Sequence, residues 1–541
     1  MGDRGGITEA PLHGGWLLHP VLVGAFPVAY LFAANIDELI GLQALWQPLG
    51  MVLVGSVALL LLALLAGRMT GIGAERAALA ASLLIGLVMT YGHAWNLAGE
   101  TLRLHRNLLA AWAVLAFVGI ALILRSRPSA IRRATMALTV GAGALVVLNA
   151  VPIVGLGVRA ATAADGETAP RPTASGEPGP AGSGRDVWYI VLDRYAGLDG
   201  LRDTFDHDNT PFMDALRERG FTVAERARAT YLKTALSLLS TLNLDELDLE
   251  ALRADATNGA DFGPLNRGLQ QPHAVGRFLQ ERGYRYVHVG SRRGPTDGNS
   301  AADATFLYGA TTEFGAVLAD TTLLRALERV APESTGLAAL MPAQAQFQLR
   351  VLQQLADAPG RNFVFSHLLI PHPPYSFNAD GSRVTTEQRE SRTLDEQYLE
   401  QLEFTNAAML ELVDRLQAGP PEEWPIIVLA ADEGPFPLAY ERDEDGYQWL
   451  EAPPEDLLRK FSVLCAISVP GVDRAGLEAA GFSDDLTLVN LFRVVLNAAF
   501  EAELAPLPAR SWAFVDQLHV YDQVDVTDRI PSERPASSSL R

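Results

Sequence analysis

Two adjacent acids, Asp432 and Glu433, end a run of small and branched apolar residues at 426–431 and are followed at once by Gly434 and Pro435. A short unbroken apolar run suits a strand buried on both faces. In open parallel sheets ligands gather beyond the carboxyl ends of the strands. Two carboxylates delivered there make an oxygen-rich corner able to hold a divalent cation. A third acid, Asp193, ends a second such run, VWYIVLD. Thr234, in YLKTALSL, stands where a helix should begin. Its hydroxyl can cap that helix, or lie with a bound phosphate at the positive end of the helix dipole. His372 follows a strand within PHPPY, framed by Pro371, Pro373 and Pro374.

Taken singly, each residue has a plainer use as a turn acid, a helix cap or a solvated imidazole. His367, inside the strand that leads into PHPPY, reads as core. Taken together, Asp193, Thr234, His372 and Asp432 all end strands or open a helix on one side of one sheet.

The elements that must position them alternate between strand and helix from Asp186 onward. Strands are predicted at 187–192, 221–224, 286–289, 363–369, 426–431 and within 461–469. Helices are predicted at 211–219, 235–242, 275–281, 394–417 and 486–500. Such alternation implies an α/β domain with a mostly parallel sheet covered on both faces.

The first 160 residues read differently. Five apolar segments, at 17–34, 49–66, 77–97, 108–124 and 134–158, are each near the length that crosses a bilayer as a helix. Pro27 and Pro152 fall inside segments, which membrane helices tolerate. Trp16, Trp46, Trp95 and Trp112 fall near segment ends, as interfacial aromatics do. With the amino terminus inside, the cytoplasmic side collects Arg4, Arg68, Arg76, Arg125, Arg127, Arg132 and Arg133, while the loop at 35–46 holds Asp37 and Glu38 and no arginine. Arg103, Arg106 and Arg159 fall to the other side. The positive-inside rule then places everything after Val158 outside the cytoplasm. The expected division is a transmembrane domain at 1–159, a flexible linker rich in Ala, Pro, Gly and Ser at 160–185, a domain at 186–515, and a partly disordered tail at 516–541.

Composition narrows the function. The net charge is −20, and nearly all of the acidity lies after residue 160. A domain so acidic repels a phosphate backbone over most of its surface, which argues against nucleic acid as a partner. The single cysteine, Cys465, excludes an internal disulfide and a cysteine-built metal site. Lys233 and Lys460 are the only lysines among 43 basic residues, and the preponderance of arginine reads as a compositional bias without function.

The pieces DVWYIVLDRY, ATYLKTALSLLSTLNL, FSHLLIPHPPYSF, IIVLAADEGP and LVNLFRVVLNAAF, in that order over residues 186–510, resemble the sulfatase-like branch of the alkaline phosphatase superfamily. The chain is most similar to its membrane-anchored members of the lipoteichoic acid synthase and phosphoethanolamine transferase type. That resemblance implies five membrane helices ahead of an alkaline phosphatase/sulfatase-like α/β catalytic domain. It implies Asp193 and Asp432 as metal ligands and Thr234 as a nucleophile that also touches the metal. His372 is implied on the substrate or leaving-group side.

One departure stands out: these enzymes usually show Asp-His where this chain has Asp432–Glu433. If Glu433 is a ligand, the site loses a nitrogen donor and gains a charge, which favours Mn²⁺, Mg²⁺ or Ca²⁺ over Zn²⁺. Arg194 and Lys233, beside Asp193 and Thr234, can offset that charge and bind substrate, or serve as solvated flanks. The resemblance implies a metal-dependent phosphotransferase or phosphodiester hydrolase in the cytoplasmic membrane of a bacterium, with its catalytic domain outside. Membrane lipids and an envelope glycan or lipid acceptor would be its partners. The alternative is an inactive relative that binds an envelope polymer or a partner protein. Oligomeric state is not legible.

Overall fold

The structure, a computed structural model, describes residues 14–36, 43–98, 105–166, 184–291, 294–309, 313–329, 336–357, 360–444 and 446–531. Arg4, Asp37, Glu38 and Arg103, used above for orientation, lie outside the described residues. So do 167–183 of the expected linker and 532–541 of the expected tail. The chain divides into two compact units. One comprises 1–170 with 311–340, and the other comprises 171–310 with 341–541.

In the first unit five helices, α1 (His19–Ala34), α2 (Gln43–Thr70), α3 (Ala74–Leu97), α4 (His105–Arg125) and α5 (Pro128–Gly166), are long and apolar enough to cross a membrane. The hydropathy of these segments leaves no surface for water. Large apolar side chains such as Val54, Phe117 and Leu148 instead point outward. That pattern suits a lipid solvent, in which helices need not hide their apolar faces. Helix α5 runs seven residues into the stretch read as linker. α1 packs against α2, α3 and α5, and α3 packs against α2 and α4.

The same unit includes a segment that the chain reaches only after residue 310. Its helix Glu313–Thr321 inserts Phe314 and Leu318 among Val28, Phe32, Leu45 and Met89. The Phe314 ring meets Phe32 edge-on at 5.4 Å. Gly92 permits the approach: a Cβ there would sit 2.0 Å from the Asp320 carbonyl oxygen. The domain expected as one run over 186–515 is therefore interrupted in the structure. The residues contacted lie at the ends of α1, α2 and α3 that the arginine distribution puts outside the cytoplasm.

The second unit is built on seven strands: β1 (Val187–Leu192), β2 (Thr222–Val223), β3 (Arg285–Val289), β4 (Ala304–Phe306), β5 (Asn362–Leu368), β6 (Ile426–Ala430) and β7 (Cys465–Ser468). They lie in the order β2-β7-β6-β1-β5-β3-β4. The pairs β6-β1, β1-β5, β5-β3 and β3-β4 are parallel, and β7 is antiparallel to both of its neighbours. β1 and β6 are buried at every position, as expected of strands covered on two faces. The mostly parallel α/β domain is thus present, with β4 as the strand that the sequence pattern did not announce. Residues 516–531, read as the start of a tail, are packed: Val520 and Val526 are buried, and Gln523–Asp525 pairs with Trp512–Phe514.

Candidate active site

The order β6-β1-β5 at the centre of the sheet decides what meets at its carboxyl edge. Asp193 is the first residue after β1, and Asp432 follows β6. His367 is the penultimate residue of β5, in register with Val191 of β1. All three are fully buried. His367 Nε2 lies 3.5 Å from Asp193 Oδ2 and 3.7 Å from Asp432 Oδ2. One ligand atom from each of the three falls within 4.8 Å of the others. Two buried carboxylates and one imidazole leave this pocket short of positive charge, a condition that a divalent cation relieves. The oxygen and nitrogen donors suit Mn²⁺ or Mg²⁺ and also Zn²⁺. Burial, and then the nearby Glu433 charge, push the Asp432 carboxyl up to about 6.

Thr234 joins this cluster. It is the first residue of the helix Thr234–Asn243, with Lys233 in the capping position. Its side chain lies by the Asp432 carboxylate, where it helps to hold that carboxyl down. One turn on, Ser237 Oγ donates to the Asp432 carbonyl oxygen at 2.6 Å, which ties the helix N-terminus to the acid loop. Arg194 and Lys233 both take left-handed backbone angles, with φ of 62° and 68°. Such angles cost about 1 kcal/mol or more for residues with a Cβ. Each turn presents an amide to a site carboxylate: Arg194 N–H donates to Asp432 Oδ1 at 3.3 Å, and Lys233 N–H donates to Glu433 Oε2.

Glu433 is not one of the three clustered residues. It is buried against Lys460, whose Nζ lies 2.7 Å away, with Arg194 Nε at 3.8 Å. Burial raises its carboxyl, but the charges of Lys460, Arg194 and Lys233 outweigh that and hold it below the ordinary range. Gly434 makes the pairing possible, because a Cβ there would meet the Arg459 carbonyl oxygen at 2.3 Å and hold the 459–462 segment off. Phe436 completes the surroundings, with Lys460 Nζ 3.3 Å, Arg194 Cζ 4.2 Å and Lys233 Nζ 4.8 Å from its ring centre. The Lys233 ammonium itself bonds Tyr440 at 2.7 Å and Glu444 at 3.1 Å. Lys233, expected to offset the Glu433 charge, thus meets that carboxylate through its amide, and Lys460, given no role in the sequence, pairs with it directly.

His372 lies in the loop after β5, mostly buried, with its Nδ1 bonded to the Pro373 carbonyl. Gln401 Nε2 donates to its carbonyl oxygen at 2.9 Å. A cleft beside this loop is lined by Arg194, Pro373, Tyr375, Phe436, Glu441 and Arg459 among others. Asp193, Thr234 and Asp432 are thus brought together, Glu433 is turned to Lys460, Arg194 serves both the Glu433 pocket and the cleft, and His372 precedes Pro373, which lines the cleft. Sequence reasoning missed His367 and Lys460. For Lys460 the signal was its rarity.

No known protein family's sequence pattern matches the chain, and no curated protein matches it. Solved structures do. Lipooligosaccharide phosphoethanolamine transferase A (EptA), an integral membrane protein from Neisseria meningitidis, is similar at 14% identity and a TM-score of 0.38, over 90% of this chain and 95% of that one. The C-terminal periplasmic domain of EptC from Escherichia coli is similar at 13% identity and a TM-score of 0.40, over 66% of this chain and 95% of that one. The lipoteichoic acid synthase LtaP from Listeria monocytogenes is similar at 10% identity and a TM-score of 0.36, over 63% of this chain and 76% of that one.

Proposed function

We propose that this chain is a membrane-anchored, metal-dependent phosphotransferase or phosphodiester hydrolase working through Thr234 outside the cytoplasmic membrane. The observation that carries the reading is the Thr234 hydroxyl. It opens a helix and lies by Asp432 at the buried Asp193–His367–Asp432 cluster. Asp193, Asp432 and His367, with the Thr234 oxygen, would hold a divalent cation, which when bound stabilises an alkoxide and the charge that develops on phosphoryl oxygens. His367 supplies the nitrogen donor whose absence at 433 was the reason to prefer hard ions, so the donor set accommodates Zn²⁺ as well.

Thr234 Oγ lies by Asp432, which takes the hydroxyl proton as Oγ attacks phosphorus. The bond from phosphorus to the leaving alcohol breaks, and His372 supplies the proton that alcohol needs. A second alcohol, or water, then attacks phosphorus and gives its proton to His372, while the bond from phosphorus to Thr234 Oγ breaks and Asp432 returns the proton to that oxygen. The helix N-terminus favours the anionic group throughout. The activities named for the similar structures, phosphoethanolamine transfer and lipoteichoic acid synthesis, are two forms of this reaction. Phospholipid head groups as donors, and envelope glycans or lipids as acceptors, suit an active site on a chain with five apolar helices. The reason to suspect an inactive relative was an uncompensated acid at 433, and Lys460, Arg194 and the Lys233 amide compensate it.

The test is Thr234→Ala in the full chain, assayed on a phospholipid with a labelled head group and on an activated phosphodiester. Turnover should fall by roughly 10³-fold or more, as when a nucleophile is removed. Thr234→Ser should keep measurable activity. Wild-type turnover in the alanine variant would overturn the reading.

A further inference from the structure

His367 has two ring nitrogens, and only one faces the carboxylates. The other, Nδ1, lies 2.9 Å from Thr296 Oγ1. Thr296 stands at the end of a buried polar chain whose directions can be worked out bond by bond. His288 Nε2 lies 3.0 Å from the Thr296 carbonyl oxygen. A carbonyl can only accept, so His288 Nε2 carries a proton. Burial pushes the His288 imidazole down to about 4, which leaves it neutral and its Nδ1 an acceptor. Tyr286 therefore donates its hydroxyl to His288 Nδ1 at 3.2 Å. The Tyr286 oxygen is then open to the donor on its other side, His273 Nε2, also at 3.2 Å.

The far end gives an independent check. The Gly276 amide donates to His273 Nδ1 at 2.9 Å, which requires Nδ1 bare and the proton on Nε2. Both ends assign the same direction, and no bond in the chain is donor-to-donor. Every member, together with Ser291, is almost wholly buried. Ser291 N–H also donates to the Thr296 carbonyl at 3.0 Å, and Ser291 Oγ lies 2.5 Å from Thr296 Oγ1. Ser291 Oγ can take the Thr296 hydroxyl proton, and Thr296 Oγ1 can then accept from His367. Gln348 Nε2, donating to the His367 carbonyl at 2.8 Å, fixes the backbone on the same side.

We propose that Thr296 is a positioning residue for His367: its hydroxyl accepts the Nδ1 proton, aims the Nε2 lone pair into the gap between Asp193 and Asp432, and is itself braced by the chain His273–Tyr286–His288. The inference rests on the metal reading above and adds to it the part that selects tautomer and ring orientation. A ligating histidine whose second nitrogen is held in this way is a stronger and better aimed donor. A core threonine that merely fills space has no such effect, and this difference can be measured.

The experiment uses the full chain in detergent, stripped with a chelator and titrated with Co²⁺, whose visible absorption reports ligand number and geometry. Wild type should bind Co²⁺ and Asp193→Asn should not. Thr296→Val, close in shape, should bind about 10- to 100-fold more weakly and with an altered spectrum. Thr296→Ser should return affinity and spectrum to near the wild-type values. His288→Asn, which keeps the Thr296 hydroxyl and removes its brace, should give an intermediate loss, and it carries the test if Thr296→Val does not fold. If Asp193→Asn loses binding while Thr296→Val and His288→Asn keep wild-type affinity and spectrum, the positioning role is refuted and the metal site stands. If wild type does not bind Co²⁺, or binds it no better than Asp193→Asn, the metal reading falls and the positioning role falls with it.

Discussion

Lys460→Met is the substitution whose consequence follows most directly from the geometry. The Lys460 ammonium is fully buried, 2.7 Å from Glu433, and donates to the Gly434 carbonyl at 2.9 Å. Burial draws its pKa down to about 7, against the pull of Glu433. At an effective dielectric constant near 20, the gross attraction across that distance is about 6 kcal/mol. Desolvation of the two ions offsets most of it, so the pair as a whole is close to neutral for stability. Methionine fills the same volume but removes the charge, and the Glu433 carboxylate stays buried with Arg194 at 3.8 Å as its remaining charged neighbour of the pair's kind. Breaking one side of such a pair costs about 3–5 kcal/mol. At about 2 °C per kcal/mol for a unit of this size, the unfolding midpoint should fall by roughly 6–10 °C. Adding Glu433→Gln should recover at least about half of that, because the stranded charge is then gone. The assay is thermal and urea unfolding of the full chain in detergent, followed by tryptophan fluorescence for both single variants and the double. A loss below about 1 kcal/mol for Lys460→Met, or strict additivity in the double variant, would refute the reasoning.

Two further outcomes follow from the same structure. Burial, the largest cause for both, pushes His273 and His288 down to about 3 and about 4, whereas in the unfolded chain they titrate near 6.5. Above that pH neither state binds the protons and there is no cost. As pH falls from 6.5 towards 4 the unfolded chain binds protons that the folded chain refuses, so stability drops by up to about 1.4 kcal/mol per pH unit for each histidine. Urea midpoints measured between pH 6 and 4.5 should fall less steeply for His288→Asn than for wild type, and parallel slopes would contradict this. Gly92→Ala should displace the segment around Asp320 from α3, because its Cβ would fall 2.0 Å from a backbone oxygen. A cysteine placed at Leu318 should then react faster with a thiol reagent than it does in the Gly92 background, and an unchanged rate would count against the packing described.

The strands were legible because their residues obey simple rules. VWYIVL and IIVLA are too uniformly apolar to be anything but central strands, and the acids after them mark where such strands stop. Five membrane-length helices were equally plain. What escaped was information held between elements. His367 looked like core because it sits inside an apolar strand. Only the register of β5 against β1 shows that it stands level with the strand ends and faces the two acids. Glu433 looked like a ligand because it follows Asp432, yet its partner comes from a segment 27 residues further along that only Gly434 lets close in. The insertion at 311–340 is amphipathic at best in sequence, and nothing local says that Phe314 and Leu318 belong with helices that were completed long before.

The site draws on strand ends that are far apart in the chain: the amide of Arg194 reaches the Asp432 carboxylate across 238 residues. Contacts of that range are entropically slow to make, and parallel pairing of β6, β1 and β5 cannot begin until most of the chain has been synthesised. No chain that ends before Asp432 carries the complete donor set. A cation added early would find single carboxylates and histidines, while the full cluster exists only after the central pairing is complete. Metal binding, by mass action, would then reward the finished topology over every partly paired competitor.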